Sequence, residues 1–361
     1  MNVSESSPPA APFQWNQWNA APLNLGATLA SGQNFRWRKN AAGVWLGTIE
    51  GCAAALWQIE NSPDSPLHWQ TFPEPDRGDI LQDYLRLDVD LEFLYESWKE
   101  RGPEIAEATV AFRGLRILRQ PPTECFFAFQ CATCNTVTKI ERSIAKLAAR
   151  YGELIDLTPQ PPSLETRNAG GKGEQEEALH CIFSPFQSPT RSPFPVSEAN
   201  ASGKGVGGLG YAFPTLTALA GADEAELRAD LWGYRAPRVI HLARELLRRP
   251  DGWLNNLRNV PYAQAKAELT ALHGIGAKLA DCICLFSLDK DEAVPIDTHV
   301  RQIATRLFLP DLCGKSLTPR IYDALANSYR ERFGRYAGWA QQYLFFNELR
   351  RSKGYKQNRE D

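Results

Sequence analysis

The sequence predicts an α+β fold, with an antiparallel sheet in the N-terminal part and a larger helical part after it. Short segments of alternating polarity occur between about residues 20 and 110, such as Phe35–Arg38 and Val44–Gly47, and this alternation is typical of antiparallel strands. Helical periodicity is present over Ile80–Arg101 and again from residue 118 onward, beginning with Cys125–Tyr151. Strands followed by helices favour an α+β organisation.

The chain of 361 residues is long enough for two to three domains. Residues 1–18 are rich in Pro, Ser and Asn, which predicts a flexible N-terminus. Residues 19–117 form the predicted sheet-plus-helix domain, 118–353 the helical core, and 354–361 a C-terminal tail. Within the core, residues 157–210 are rich in Pro, Gly and Ser and indicate a mobile insertion. A phosphate loop is the alternative for the Gly-Lys pairs there, although no strand precedes them.

The composition indicates an intracellular protein with free thiols. Eight cysteines are scattered along the chain, and we find neither a signal peptide nor an apolar run of membrane-spanning length. Cys131 and Cys134 have redox or half-zinc spacing, but no second pair follows at zinc spacing. The net charge of −2 does not indicate nucleic-acid binding by the whole chain. Arginines clustered between Arg235 and Arg249 are either a local DNA-steering patch or a solvated helix face.

A Gly-x-Gly turn lies inside a predicted helix-hairpin-helix that spans residues 268–288. Gly274 and Gly276 permit unusual backbone angles and carry no side chain to obstruct a ligand. Amides at the start of the second helix, from Ala277 to about Leu288, would suit a phosphate oxygen. A plain corner between two helices with a glycine cap is the alternative.

Lys278 and Cys282 are four residues apart, so they share one face of the second helix of this hairpin. Apolar neighbours such as Leu279 and Ile283 would bury the rest of that helix. The lysine either extends its ammonium to solvent or is partly desolvated. Desolvation would lower its pKa and expose a neutral amine that can form a Schiff base.

Asp297 follows a polar turn and a short extended return that contains Pro295. Its position predicts the N-cap of a helix that runs to Leu307. The return can bring Asp297 back toward Lys278. A helix N-terminus favours the ionised form of a carboxylate. Asp297 therefore either only caps the helix or, in addition, stabilises a cationic sugar transition state.

The run from Leu272 to His299 resembles the helix-hairpin-helix DNA glycosylases, and most closely their 8-oxoguanine DNA glycosylase branch. The similarity extends in order, with one gap, from about residue 20 to residue 353. It implies an α+β fold in which a TBP-like antiparallel sheet domain packs on a mainly helical HhH-GPD core. Further matching segments are SGQNFRW at 31–37, FFAFQC at 126–131 with Asn135, FPTL at 213–216, GYRA at 233–236, and GWAQ at 338–341 with Leu344 and Phe345.

The resemblance implies a bifunctional N-glycosylase (a hydrolase) and DNA-(apurinic or apyrimidinic site) lyase of base excision repair. Lys278 would be the nucleophile at the deoxyribose C1′, and Asp297 would stabilise the developing charge. An enzyme that acts on a base takes it out of the duplex. The implied pocket for flipped 8-oxoguanine consists of the Gly32 carbonyl, which would meet the N7 hydrogen, a sandwich of Cys282 and Phe345, and Gln341 at the Watson–Crick edge.

The same resemblance implies contacts to damaged double-stranded DNA. Tyr234 would wedge into the base stack, Arg235 and Lys139 would address the orphaned cytosine, and His299 would meet a phosphate. Asn135, Gly274 and Gly276 complete the implied DNA-binding set. Main-chain carbonyls of Thr270, Leu272 and Ile275 would hold a structural monovalent or calcium ion, and no cofactor would be required for catalysis.

Two positions depart from the pattern of that branch. Cys134 stands where an Asn usually fills the space of the flipped base, and Lys139 stands where an Arg usually contacts cytosine. Lysine cannot form the bidentate fork of arginine. Preference for cytosine opposite the lesion is therefore expected to be relaxed.

Three functions follow from these residues. The first is an 8-oxoguanine glycosylase with lyase activity; the second is a glycosylase for another damaged base, such as an alkylated base or a different oxidised purine. The third is a non-catalytic DNA-binding module, but phosphate binding by a hairpin requires neither Lys278 nor Asp297. We expect a monomer that does not bind membranes, located in the cytoplasm or nucleoid of a prokaryote or the nucleus of a eukaryote.

Overall fold

The computed structural model describes residues 7–9, 13–19, 22–73, 76–132, 135–155 and 210–357. Cys134 and residues 157–209 of the predicted insertion lie outside the described residues. The two ends of that segment meet, since the Ile155 amide donates to the Gly210 carbonyl and the Ala212 amide to the Glu153 carbonyl, both at 2.8 Å.

The N-terminal part contains a five-stranded antiparallel sheet with the order β1-β5-β4-β3-β2. The prediction that residues 1–18 are flexible is wrong for the last of them, because residues 16–18 pair with the last strand and Phe13 is buried. The strands are β1 (Asn16–Trp18), β2 (Arg38–Lys39), β3 (Trp45–Ile49), β4 (Cys52–Trp57) and β5 (Leu67–Phe72).

Both faces of the sheet are covered. Ala54 and Leu56 pack into a cluster on one face with helical residues, whereas Ala53, Ala55 and Trp57 pack on the other face. Successive side chains of β4 thus point to opposite faces, as the period of a strand requires. The alternation in the sequence predicts this part of the fold correctly.

Four helices accompany the sheet in the N-terminal part of the described chain. The helical periodicity over Ile80–Arg101 indicates one helix, but the structure has two. Arg86 breaks the segment with a φ of +50°, and Asp90 caps the second helix by accepting from the Phe93 amide. These helices are α1 (Leu25–Leu29), α2 (Gly78–Tyr84), α3 (Leu91–Trp98) and α4 (Pro103–Ala111).

The helical core begins with two helices where the periodicity predicts one. They are α5 (Pro122–Ala132) and α6 (Val137–Tyr151), and Thr136 caps α6 by accepting from the Lys139 amide. Later helices are α7 (Leu216–Ala220), α8 (Glu224–Leu227), α9 (Ala236–Leu247), α10 (Trp253–Asn256), α11 (Tyr262–Thr270), α12 (Ala277–Ser287), α13 (Thr298–Leu307), α14 (Pro319–Phe333) and α15 (Ala337–Gln357).

The hairpin consists of α11 and α12. Its first helix begins after Pro261, six residues before the predicted Glu268, because proline sets the extended N-cap there. The last helix continues to Gln357, past the predicted boundary at residue 353. One large hydrophobic cluster joins α3–α6 with the later helices. Among the described residues, no helix has the length and the apolar run needed to cross a bilayer.

Buried amide side chains join the sheet part to the helical core. Gln33 donates to the carbonyls of Thr28 (3.0 Å) and Arg116 (2.8 Å), and its own side-chain oxygen accepts from the Leu118 amide. Gln120 donates to the Gln33 carbonyl at 2.6 Å. The loop that contains Gly32 is therefore held against the start of the core.

Candidate active site

Lys278 lies in the first turn of α12, whose later residues are almost all buried. Its Nζ lies 5.8 Å from the ring centroid of Phe129 on α5, and it interacts electrostatically with Cys282. Cys282 is only 2% exposed. The predicted shared face is confirmed, and Lys278 is only partly accessible to solvent rather than fully extended into it.

The sequence left two environments open for Lys278, an ammonium extended to solvent or a desolvated amine with a lowered pKa, and the structure does not support the lowered pKa. Its pKa is raised above the ordinary lysine value, because interactions with Cys282 and, more weakly, Asp297 outweigh the burial that lowers it. Burial raises the pKa of Cys282, and the interaction with Lys278 opposes that rise. In the DNA-free protein Lys278 is therefore an ammonium, and it must lose a proton before it attacks.

Asp297 is the N-cap of α13, as predicted. Its Oδ1 accepts from the Val300 amide at 2.8 Å. The carboxylate also raises the pKa of both Lys278 and Cys282, which places it near them across the return from α12. The predicted catalytic pair thus lies at the starts of two successive helices, and the two residues interact electrostatically.

The predicted base-pocket residues come from three separated parts of the chain. Gly32 has a φ of +74°, and a side chain there would meet nothing within 4 Å. The loop with Gly32 is tied to α15 by Gln342, whose Nε2 donates to the Ser31 carbonyl at 3.3 Å. Phe345 is half-buried on α15, with its ring centroid 6.0 Å from that of exposed His299.

Gln341 is the most unusual polar group in this set. It is 3% exposed, and its Oε1 has no hydrogen-bond partner among the described residues. A buried unpaired acceptor is costly in a folded protein. The amide is thus available to a ligand that enters beside α15.

The two hairpin glycines have different surroundings. Gly274 has a φ of +80°, and a Cβ there would approach the Arg238 guanidinium group to 2.9 Å. Gly276 is the exposed N-cap of α12, and a Cβ there would meet no atom within 4 Å. The approach to the first turn of α12 is therefore open, next to the arginine of α9.

The other predicted DNA contacts lie on separate elements. Tyr234 is 61% exposed, and the Arg235 guanidinium stacks 4.4 Å from its ring centroid. Arg235 itself is only 5% exposed, so its contact with cytosine stays a prediction. Asn135 donates to the Cys131 carbonyl at 2.8 Å, and Lys139 is exposed on α6.

The predicted cation site is formed by the end of α11 and the hairpin turn. Leu272 and Ile275 are buried, and the Leu272 carbonyl accepts from the Ile275 amide at 3.2 Å. Carbonyl oxygens are suitable ligands for a hard cation. Among the described residues, no group of three His, Cys, Asp or Glu side chains is arranged to hold a metal.

Two buried carboxylates, one on α12 and one in the turn after it, were not predicted from the sequence. Asp281 is fully buried on α12 and accepts from Tyr262, Lys266 and Tyr322. Asp291, in the turn after α12, pairs with Arg86 of the sheet part. An aspartate inside the apolar run around Leu279–Leu285 was the available signal for Asp281, since unpaired charges are rarely buried.

Comparisons with known proteins agree along the chain. Residues 17–126 match the 8-oxoguanine DNA glycosylase N-terminal domain, and residues 196–329 match the HhH-GPD superfamily of base excision DNA repair proteins. The N-glycosylase/DNA lyase OGG1 of Arabidopsis thaliana is 32% identical over 91% of this chain and 78% of its own. The N-glycosylase/DNA lyase of Saccharomyces cerevisiae is 26% identical, over 93% and 86%.

The fold is also similar to that of solved structures. A Clostridium acetobutylicum 8-oxoguanine glycosylase/lyase, solved with double-stranded DNA that contains cytosine opposite 8-oxoguanine, has a TM-score of 0.69 and 19% identity. The match covers 95% of this chain and 99% of the other. The sheet and the helical core therefore occur together in one known architecture.

Proposed function

Because this chain belongs to the N-glycosylase/DNA lyase family of 8-oxoguanine DNA glycosylases, we propose that it excises 8-oxoguanine opposite cytosine and then cuts the strand through Lys278. The observation that carries the proposal is the convergence of Lys278, Cys282 and Asp297 where α12 and α13 begin. A DNA-binding hairpin alone would require no lysine that interacts with both a thiol and a carboxylate.

The chemistry begins with the Lys278 amine. After the ammonium loses its proton, the nitrogen lone pair attacks C1′, the C1′–N9 bond breaks, and its electrons leave with the base, which takes up a proton. The nitrogen then loses a proton and its lone pair expels O4′, which takes up a proton, so the C1′–O4′ bond breaks, the sugar ring opens and a protonated imine forms. This imine makes the C2′ hydrogen acidic, and its removal as a proton expels the 3′ phosphate by β-elimination. Asp297, close to Lys278, would stabilise the cationic sugar during the first step.

Recognition of the base is assigned to the pocket residues. The Gly32 carbonyl would accept the N7 hydrogen that guanine lacks, and Gln341 would pair its buried amide with the Watson–Crick edge. Cys282 and Phe345 would enclose the ring. One hydrogen bond contributes only about 1–3 kcal/mol of discrimination, so extrusion of the base must add to it.

Binding to the duplex is assigned to the surface around this pocket. Gly276 leaves the amides of the first turn of α12 open to a phosphate, and exposed Tyr234 is rigid enough to fill the gap left by the base. The remaining DNA contacts proposed are His299, Gly274, Asn135, Lys139 and Arg235. Because Lys139 is not an arginine, selectivity for cytosine would be relaxed.

We also propose that the hairpin carbonyls of Thr270, Leu272 and Ile275 hold a monovalent or calcium ion. This ion would hold the turn together and would take no part in the reaction, which needs no cofactor because Lys278 supplies the electron pair. We propose further that the protein acts as a monomer inside the cell, in the cytoplasm or nucleoid if prokaryotic and in the nucleus if eukaryotic.

Borohydride trapping tests the proposal. Native protein should form a covalent complex with a duplex that has one 8-oxoguanine opposite cytosine, and Lys278→Gln should form none. Lys99→Gln, which changes the exposed lysine at the C-cap of α3, is the matched control and should trap like the native protein. Trapping on an abasic site alone would retain the lyase and refute the base assignment, whereas no trapping on either duplex would refute the bifunctional mechanism.

A further inference from the structure

Asp281 is a buried carboxylate that the proposed reaction does not use. It is 0% exposed on α12 and follows Lys278 by three residues. Three donors surround it: Tyr262 lies 2.6 Å from Oδ1, and Lys266 and Tyr322 lie 2.9 and 2.6 Å from Oδ2. Burial raises the pKa of Asp281 while these donors oppose the rise. The group is well satisfied in its place.

Tyr322 links this carboxylate to the segment before Asp297. Its hydroxyl donates to Asp281 and accepts from the Ile296 amide at 3.2 Å, so both hydrogen-bonding capacities are used. Ile296 is 2% exposed and precedes Asp297 directly. Only one hydroxyl therefore stands between the helix of Lys278 and the amide next to Asp297.

Packing also holds the segment between α12 and α13, since Ala293, Val294 and Ile296 are buried in the large hydrophobic cluster. The Tyr322 hydroxyl adds polar contacts near its end, because it also lies 3.5 Å from the Val294 carbonyl. Residues 293–297 have no regular secondary structure, and Asp297 itself bonds forward, to the Val300 amide. That bond sets the position of Asp297 on its own helix. The contact between Tyr322 and Ile296 instead relates this end of the segment to α12.

We propose that Tyr322 is a positioning residue, which sets the place of Asp297 relative to Lys278 by joining the Asp281 carboxylate to the Ile296 amide. The structural half of this inference stands by itself, and its catalytic half rests on the proposed function. The competing explanation is that Asp281 and its three donors, Tyr262, Lys266 and Tyr322, only satisfy one another's hydrogen-bonding groups. That explanation makes the two tyrosines equivalent, because each donates to Asp281 at 2.6 Å.

The matched variants are Tyr322→Phe and Tyr262→Phe. Each removes one hydroxyl from Asp281, but only the first also removes the acceptor of the Ile296 amide. Hydrogen exchange of peptides that span 289–300 reports the link without any need for activity. Single-turnover excision of 8-oxoguanine reports its effect on the reaction, and the dissociation constant for the duplex reports binding.

We expect Tyr322→Phe to exchange these amides about tenfold faster than the native protein, the change expected for one lost hydrogen bond. Its single-turnover rate should fall about 10- to 100-fold, the effect of a small misplacement of a catalytic group. Duplex binding should stay within about twofold, because no DNA contact changes. Tyr262→Phe should match the native protein in all three measurements.

Equal exchange in the two variants would overturn the link, whatever the activity of the native protein. Faster exchange in Tyr322→Phe with an unchanged excision rate would overturn its role in positioning Asp297. If the native protein removed no 8-oxoguanine while the exchange difference persisted, the proposed function would fail and the link would stand.

Discussion

Replacing Gln341 with methionine should stabilise the protein and impair excision of the base. The side chain is 3% exposed, and its Oε1 has no partner among the described residues. A buried polar atom without a hydrogen bond costs about 1–3 kcal/mol, and replacement by an apolar group of similar shape removes this cost. Methionine is unbranched and flexible enough to fill the same space. We therefore expect the free energy of unfolding to rise by about 1–3 kcal/mol.

Excision should change in the opposite direction. If Oε1 and its amide group read the flipped base, their loss removes about 1.4 kcal/mol or more of transition-state binding, which lowers the single-turnover rate about tenfold or more. Urea unfolding measures the first effect, and excision of 8-oxoguanine under single-turnover conditions measures the second.

Gln130 on α5 provides the matched control. It is 2% exposed, and neither its Oε1 nor its Nε2 has a partner among the described residues. Gln130→Leu should therefore stabilise the fold without any loss of excision, because this residue is not assigned to the pocket. A Gln341→Met variant that is less stable than native protein and equally active would refute the reasoning on both counts.

Two further predictions concern the hairpin and the sheet. Gly276→Ala should leave the melting temperature unchanged, because the added Cβ meets no atom within 4 Å and the φ of this residue is negative. The variant should nevertheless bind the duplex more weakly in fluorescence anisotropy. Gly221→Ala is the control, since its added Cβ would make only an ordinary contact with Thr217. Burial between aromatic rings lowers the pKa of His68 below 6.5, so the unfolded chain takes up the proton first and stability falls as pH decreases below 6.5. Urea unfolding at pH 7.5 and 5.5 should show a larger loss for native protein than for His68→Gln, and equal losses would contradict this assignment.

Local patterns in the sequence predict much of the fold and the catalytic pair. Strand alternation and the capping position of Asp297 depend on residues a few positions apart, and both predictions are confirmed. The break at Arg86 is not local, because its positive φ accompanies an ion pair with a residue 205 positions later. The sequence left the pKa of Lys278 open for a related reason: burial lowers it, and the interactions with Cys282 and Asp297 that raise it come from the folded arrangement.

The ion pair of Arg86 with Asp291 explains why the sheet part matters to a site built on helices. The guanidinium forms two bonds of 2.6 and 3.1 Å to the carboxylate, with side-chain exposures of 5% and 1%. The Asp291 Oδ1 also accepts from Trp339 at 2.8 Å, and the Asp291 carbonyl accepts from the Gly338 amide. Such a pair stabilises little in net terms, but the loss of one partner leaves a buried charge unpaired.

The position of Asp291 in the chain connects this ion pair to the proposed site. It lies in the turn that leads from α12 to Asp297, while Trp339 and Gly338 lie at the start of α15, the helix of Gln341 and Phe345. A Cβ on Gly338 would come within 2.4 Å of the Ala293 carbonyl, so the two segments approach as closely as a glycine allows. Arg86 therefore holds the turn that leads to Asp297, the proposed catalytic carboxylate, in one arrangement with α15, the helix of the proposed base pocket. The sheet part is thus a structural support of the proposed active site, although no proposed catalytic residue lies on the strands that the structure describes.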